Sequence, residues 1–277
     1  RFVGTRTTRG DAVTSGQIWS AVIAAERRGD YLGKTVQIIP HITDEICKHI
    51  RSCADDGASV AIIEIGGTVG DCENEYFLRA IQRFCCMENN QFIIVYVALA
   101  PVVPPGELKT KPIQHSIERM RGICRQPDII ICRAERDLHP NELQKISNNC
   151  SVGMDRIFSM PNCESIYDVP SRMRSYGIDR QICALLGITS AREPSGIIER
   201  AFPRPIGTLH IAVVGKYVTH GDAYLSLRHA IVLSAARARH SVQIHWIEEL
   251  TNDIILAPNF DIDDAVIAGA IIPGGYG

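Results

Sequence analysis

Three segments hold residues whose types and spacing suit anion or nucleotide chemistry. The first is PGELKTKPIQHS, residues 105–116, where Lys109 and Lys111 lie two apart around Thr110. Two point-charge ammonium groups at that spacing suit a triphosphate tail. Pro112 fixes the backbone after Lys111 and biases that lysine away from helix, so the segment reads as a stiff extended loop. The amide of Gln114 can read a base or ribose edge. A solvated charged turn before a helix is the alternative. The second segment is EIGGTVGDCENE, residues 64–75. Gly66, Gly67 and Gly70 let backbone amides approach an anion closely. The carboxylates of Glu64, Asp71 and Glu73 beside such a turn suit a hard cation such as Mg²⁺ bridging to phosphate. A plain strand-to-helix turn, with Glu73 favouring the helix N-terminus, is equally compatible with the spacing. The third is Arg133 after the apolar run DIIIC, with Lys145 on the helix that follows. Taken singly, each of these two is an ordinary surface charge.

The elements that must position these groups alternate in type. SVAIIEI (59–65), QFIIVYVAL (91–99), DIIICR (128–133) and RIFSM (156–160) read as strands buried on both faces. Helical patterns separate them over 73–87, 115–124 and 141–149. An earlier helix runs from Thr14 or Ser15 to Arg28, with a hydroxyl cap before it and Gly29 after it. This alternation predicts right-handed βαβ units, a parallel sheet, and ligands at the carboxyl ends of its strands. A second unit starts near Thr208. TLHIAVVG reads as a strand, DAYLSLRHAIVLSAARARH as a helix, SVQIHWI as a strand, and DAVIAGAIIPGG as a strand and turn. Residues 187–207, rich in Pro, Gly, Ser and Arg, read as a linker.

With 277 residues the chain can bury a sizeable core in two domains. A net charge of −2 gives no global field for nucleic acid, so local clusters must bind any anion. No apolar run is long enough to span a bilayer, which excludes a membrane helix. Ten cysteines without a zinc-type spacing point to reduced thiols and a cytoplasmic location. No GxxxxGK[ST] occurs, and VVGKY at 213–217 lacks the upstream glycine and the Ser/Thr.

Taken together the segments resemble CTP synthase. The matching pieces are TSGQIW, ERRGDYLGKTVQIIPHIT, EIGGTVGD, GELKTKPIQHS, PDIIICR, SIYDVP, VGKY, DAY and PGGYG, in the family's order over nearly the whole chain. The RRGDYLGKTVQ and KTKP blocks are the most specific. The resemblance implies an α/β protein. Residues 1–188 would be a parallel-sheet, P-loop-type amidoligase domain lacking its phosphate-binding loop, and 189–207 a linker. Residues 208–277 would begin a flavodoxin-like class I glutamine amidotransferase domain. It implies a carbon–nitrogen ligase of pyrimidine nucleotide synthesis that makes CTP from UTP, ATP and glutamine with Mg²⁺. It also implies self-association as a homotetramer, a dimer of dimers, extending to filaments, with neither nucleic acid nor membrane as partner.

Residue by residue, the resemblance makes Glu64 the second Mg²⁺ carboxylate. Asp71, Cys72 and Glu73 would contact the pyrimidine of CTP as feedback inhibitor. Lys109, Thr110, Lys111, Pro112, Ile113 and Gln114 would form the shared UTP/CTP segment, with Lys145 as its remote partner. Arg133 would lie near the ATP adenine, and Gly275 in the glutaminase turn whose backbone stabilises an oxyanion. His41 falls in a family block as an ammonia-gate residue or a structural histidine. The chain departs from the pattern at Ile113, usually threonine. It departs further at Pro161, Asn162 and Cys163, where Lys-Asp-Val is typical at the ATP site. The alternative is a divergent or truncated paralogue that binds pyrimidine nucleotides, or assembles with full-length subunits, without catalysis.

Both ends read as cut, with the family's phosphate loop before Arg1 and its glutaminase nucleophile beyond Gly277. The expectation is that this chain by itself forms no CTP. An assay with UTP, ATP and ammonium checks it, and clear turnover would refute it.

Overall fold

The computed structural model describes residues 8–54, 60–87, 92–163, 165–189, 204–248, 261–262 and 265–274. The chain divides into two compact units, Arg1–Ala191 and Arg192–Gly277.

In the first unit, helix α1 (Ser15–Arg28) starts where the sequence places it. Thr14 Oγ1 accepts from Gln17 N at 3.3 Å, and Gln17 Oε1 accepts from Thr14 N at 2.8 Å, a reciprocal cap. Gly29 closes the helix at φ 85°, a conformation only glycine adopts at little cost. Helices α2 (Thr43–Ala54) and α3 (Cys72–Met87) pack with α1 around Ile18, Val22, Ile42, Ile46, Cys47 and Ala80.

The sheet of this unit has three parallel strands. In chain order come β1 (Val95–Leu99), a small antiparallel hairpin of β2 (Val102–Val103) and β3 (Glu107–Leu108), then α4 (Lys111–Ile123) and β4 (Ile129–Ala134). They are followed by α5 (Pro140–Cys150), β5 (Ile157–Pro161), α6 (Val169–Ser175) and α7 (Ile178–Leu185). Strand β4 lies between β1 and β5. Its residues alternate between two cores. Ile130, Cys132 and Ala134 join Ile117 of α4 and Ile146 of α5, while Ile129 and Ile131 join Ile178 of α7. Burial on both faces explains the unbroken apolar run of this strand.

Several expectations are corrected. The strand expected over SVAIIEI is not seen: Ser59 lies outside the described residues, residues 60–65 are unpaired among the described ones, and Ile62 is 94% exposed. An apolar run becomes a buried strand only where a neighbour takes its N–H and C=O groups. The strand within QFIIVYVAL is confined to Val95–Leu99, and Gln91 lies outside the described residues. The expected helix at 115–124 begins four residues earlier, at Lys111. Proline is tolerated in a first turn, whose N–H groups have no helical partner to lose.

In the second unit, β6 (Thr208–Val214) pairs in parallel with β7 (Ser241–Ile247) and β9 (Ala265–Ile271), and β8 (Asp261–Ile262) pairs antiparallel to β9. Helix α8 (Leu225–Arg237) is shorter than the expected 222–240. Most of the expected linker, 190–203, lies outside the described residues. The architecture is thus mixed α/β with parallel sheets. No described helix is long and apolar enough to cross a membrane.

Ile130 is 0% exposed at the centre of its cluster. Ile130→Ala is expected to cost about 2–5 kcal/mol, and Ile62→Ala within about 0.5 kcal/mol of zero. Urea unfolding of both variants checks the contrast. A large loss at Ile62 would restore the buried strand.

Candidate functional site

The carboxyl ends of β1, β4 and β5 form one rim, because Leu99 aligns with Arg133 and Arg133 with Met160. From Leu99 the chain turns back on itself. Ala100 N donates to Arg133 O at 2.8 Å, Gly106 turns at φ 119°, and Lys109 N donates to Pro101 O at 2.9 Å. The hairpin therefore fixes the backbone of Lys109. This differs from the expected extended loop, since Lys111 already opens α4. Lys111 and Pro112 are exposed, whereas Thr110 and Ile113 point inward at 2% and 1% exposure. Gln114 Nε2 donates to Thr110 Oγ1 at 3.1 Å, which ties that amide into the first turn.

Lys109 Nζ lies 2.6 Å from Glu107 Oε2. The Glu107 carboxyl is held below its usual range, first by this hydrogen bond and the Lys109 charge, and further by the charge of Lys145. Lys145, on α5, is thus near enough to act on the hairpin, 36 positions along the chain from Lys109 (145 − 109). The unpaired N–H groups of the first turn of α4 add partial positive charge beside Lys111.

On the same rim, Arg133 is exposed, Pro161 ends β5 buried, and Asn162 N donates to Ala134 O at 2.9 Å. Cys163 Sγ donates to Pro161 O at 3.8 Å. Pro161 and Asn162 therefore follow Arg133 around one edge. A network that nothing in the sequence signalled supports it. Buried Ser159 Oγ accepts from Leu138 N at 3.0 Å and donates to Asp137 Oδ1 at 2.9 Å, while Tyr176 Oη donates to the same Asp137 oxygen at 2.6 Å. Burial, and secondarily the bond to Asp137, pushes the Tyr176 phenol up, so it remains a donor.

The glycine loop leads into α3. Glu64, Asp71, Cys72 and Glu73 are all exposed, the last three at the start of the helix. Gly67 (φ 91°) and Gly70 (φ 112°) adopt backbone that side chains disfavour. Asn74, 4% exposed, donates from Nδ2 to Thr68 O at 2.7 Å and pins the loop. Glu75 pairs with Arg79 at 2.6 Å and with Arg119 of α4 at 3.4 Å, and its carboxyl is held low chiefly by the Arg79 bond. These groups, with His115 and Glu118, line a charged groove of about 450 Å³ between α3 and α4. Sequence reading missed Asn74, which carried no distinguishing signal, and this groove, whose signal was the mix of acidic and basic residues on two separate helices.

Among the described residues no three His, Cys, Asp or Glu side chains gather as a metal site. Glu64 stands as a single exposed carboxylate, which suits Mg²⁺, a cation held by one or two carboxylates plus phosphate and water. Gly275 lies outside the described residues. His41 is half-buried, accepts from Gln37 N at 3.0 Å, and meets Tyr31 edge-on at 4.7 Å, an environment that suits a structural histidine. None of the ten cysteines, all among the described residues, is in a disulfide. Burial pushes Cys132 up to about 12, so that thiol is inert.

The chain matches the family described as CTP synthase N-terminus over residues 1–188. It is similar to the CTP synthase of Symbiobacterium thermophilum, with 42% identity over 294 aligned residues covering 100% of this chain and 53% of that protein. It is 40% identical to the CTP synthase of Thermosynechococcus vestitus, covering 100% of this chain and 52% of that one. It is 42% identical to that of Frankia casuarinae, covering 96% and 44%. The chain thus spans about half the length of the curated relatives it matches.

A methyl group at Gly67 would sit 3.1 Å from Asn74 Nδ2 at φ 91°, whereas one at Gly66 meets nothing within 4 Å. Gly67→Ala is expected to cost about 1–3 kcal/mol and Gly66→Ala less than about 0.5 kcal/mol. Thermal unfolding of the pair checks this. Equal losses would mean that Asn74 does not pin the loop.

Proposed function

Because the chain belongs to the CTP synthase family, we propose that it carries the nucleotide-binding face of an ATP-dependent amidoligase converting UTP to CTP. One observation carries this reading: Lys109 Nζ lies 2.6 Å from Glu107 Oε2 on the hairpin that leads into α4, and the charge of Lys145, far along the chain, adds more weakly at the same carboxyl. That arrangement offers a triphosphate two ammonium groups, the exposed Lys111 and a helix N-terminus together.

In this proposal the UTP tail lies on Lys109, Lys111 and Lys145, and Pro112 and the hairpin limit the ordering lost on binding. Thr110 and Ile113 contribute backbone, and Gln114 holds the turn. Asp71, Cys72 and Glu73 meet the pyrimidine of CTP when it inhibits. ATP lies along the rim of Arg133, Pro161, Asn162 and Cys163. The family reaction transfers the γ-phosphoryl of ATP to O4 of the uracil ring. Ammonia then attacks C4, the C4–O4 bond breaks, and phosphate leaves with the oxygen. Glu64 would contribute one carboxylate to Mg²⁺, which neutralises phosphate charge when bound. Residues 1–188 form the amidoligase part and 189–207 the linker. Residues 208–277 begin a flavodoxin-like glutaminase, with Gly275 in its oxyanion turn and glutamine as the source of ammonia. Homotetramer formation, a dimer of dimers able to extend into filaments, belongs to the same proposal. A second reading, nucleotide binding without turnover, is favoured by Pro161 and Asn162 standing where the family carries a charge of each sign.

Removing two charge-assisted bonds costs about 1.5–3 kcal/mol each, so Lys109→Ala with Lys111→Ala in the full-length protein raises the UTP requirement about a hundredfold or more. Glu107→Gln releases an exposed partner of Lys109 and lowers the requirement by up to about fivefold. Initial rates of CTP formation against UTP concentration measure both. Unchanged UTP dependence in the lysine variant removes the phosphate role. Tight UTP binding by calorimetry with no turnover supports the second reading.

A further inference from the structure

Outside this site, the second unit brings two imidazoles together. Thr208 aligns with Ser241, His210 with Gln243 and Ala212 with His245 across the parallel pair β6–β7. Side chains alternate along a strand, so His210 and His245 stand on one face, a diagonal step apart. Helix α8 covers the other face, where Leu209, Ile211 and Val242 meet Leu227 and Ile231 around an apolar cavity of about 420 Å³. The rings are half-buried, their centroids are 5.3 Å apart, and His210 Nδ1 lies 3.0 Å from His245 Nε2. One row away on the same face, Thr208 Oγ1 and Ser241 Oγ are 2.7 Å apart.

We propose that His210 Nδ1 and His245 Nε2 form a two-donor site for a nitrogen-preferring divalent transition cation, the class of Zn²⁺, Co²⁺, Ni²⁺ and Cu²⁺. Metal–imidazole bonds of about 2.0–2.1 Å place two ligand nitrogens roughly 2.9–3.3 Å apart between square-planar and tetrahedral geometry. The observed 3.0 Å separation falls in that range, as an N–H···N hydrogen bond also does, so the strands can stay in register while both rings turn about their side-chain torsions to converge their lone pairs on the cation. As it stands, one ring donates N–H to the other. On metal binding the donor ring moves its proton to its remote nitrogen, both facing lone pairs turn to the cation, and no net proton is lost. Two protein donors leave the remaining positions to water. The same donors disfavour Mg²⁺, which takes oxygen ligands, so this site is separate from the nucleotide chemistry of the first unit.

Cobalt titration of the full-length protein, followed by absorption, tests the proposal. Wild type is expected to develop visible d–d bands without thiolate charge-transfer bands, and His210→Gln or His245→Gln to weaken Co²⁺ binding tenfold or more. Ser241→Ala, which removes only the neighbouring hydroxyl, is expected to leave binding within twofold. Because a histidine variant can misfold, the ¹⁵N resonances of wild-type His210 Nδ1 and His245 Nε2 supply a second readout and should shift on Zn²⁺ addition. Thiolate bands alone, undiminished binding in both histidine variants, or unmoved imidazole resonances each overturn the assignment.

Discussion

The register of the three-stranded sheet is the constraint on which the first unit depends. Strand β4 buries Ile130 and Cys132 on one face and Ile129 and Ile131 on the other. A one-residue slip would exchange the two sets, and neither core would fit the shapes then offered to it. With the register locked, Leu99, Arg133 and Met160 must align. The connections after all three strands then leave from one edge. The lysine hairpin, the Asp137–Ser159–Tyr176 network and the Pro161–Cys163 segment share a rim for that reason, and no contact among their side chains is needed to assemble them.

How much of this was legible depended on how local the signal was. Helix α1 was readable to within one residue at its start and to the residue at its end, because Thr14 and Gly29 cap it through bonds spanning four residues or fewer. Strand β4 was readable because doubly buried strands have continuous apolar runs. The same rule failed at 60–65, since an apolar run states a preference for burial but does not supply a pairing partner. At KTKP the restriction that proline imposes on its predecessor was weighed above its tolerance in a first turn, and the structure favours the latter. The two-residue strands of the hairpin have no periodicity to detect.

At the site the residue types were legible and their pairings were not. The glycines, lysines and carboxylates of the proposed anion-binding edge were visible in the sequence as residue types. Nothing local tells that Glu107 engages Lys109, that Lys145 is felt at the same carboxylate, or that Ile113 faces the core while its neighbours Lys111 and Pro112 face solvent. Asn74 resembles any polar residue in a first helical turn until the carbonyl of Thr68 is found beside it. The first three are set by folding of the hairpin, α4 and α5 onto one sheet, and the last by the glycine loop turning back onto the start of α3.

The Lys109–Glu107 pair has a further role in this electrostatic arrangement. Both side chains are substantially exposed, 43% and 60%, so solvent screens the pair and its net worth is at most about 1 kcal/mol. That is too weak to be a structural anchor. It biases the ammonium of Lys109 toward Glu107. On the proposed nucleotide reading, a triphosphate at the start of α4 would present several negative charges where Glu107 presents one, so exchange of partners would run downhill for Lys109. The displaced carboxylate would turn into water at little cost, and Lys145 would exchange a weak neighbour for a stronger one. On that reading Glu107 competes only weakly with the anion for Lys109, unlike a partner in a buried ion pair, whose separation carries a large desolvation penalty.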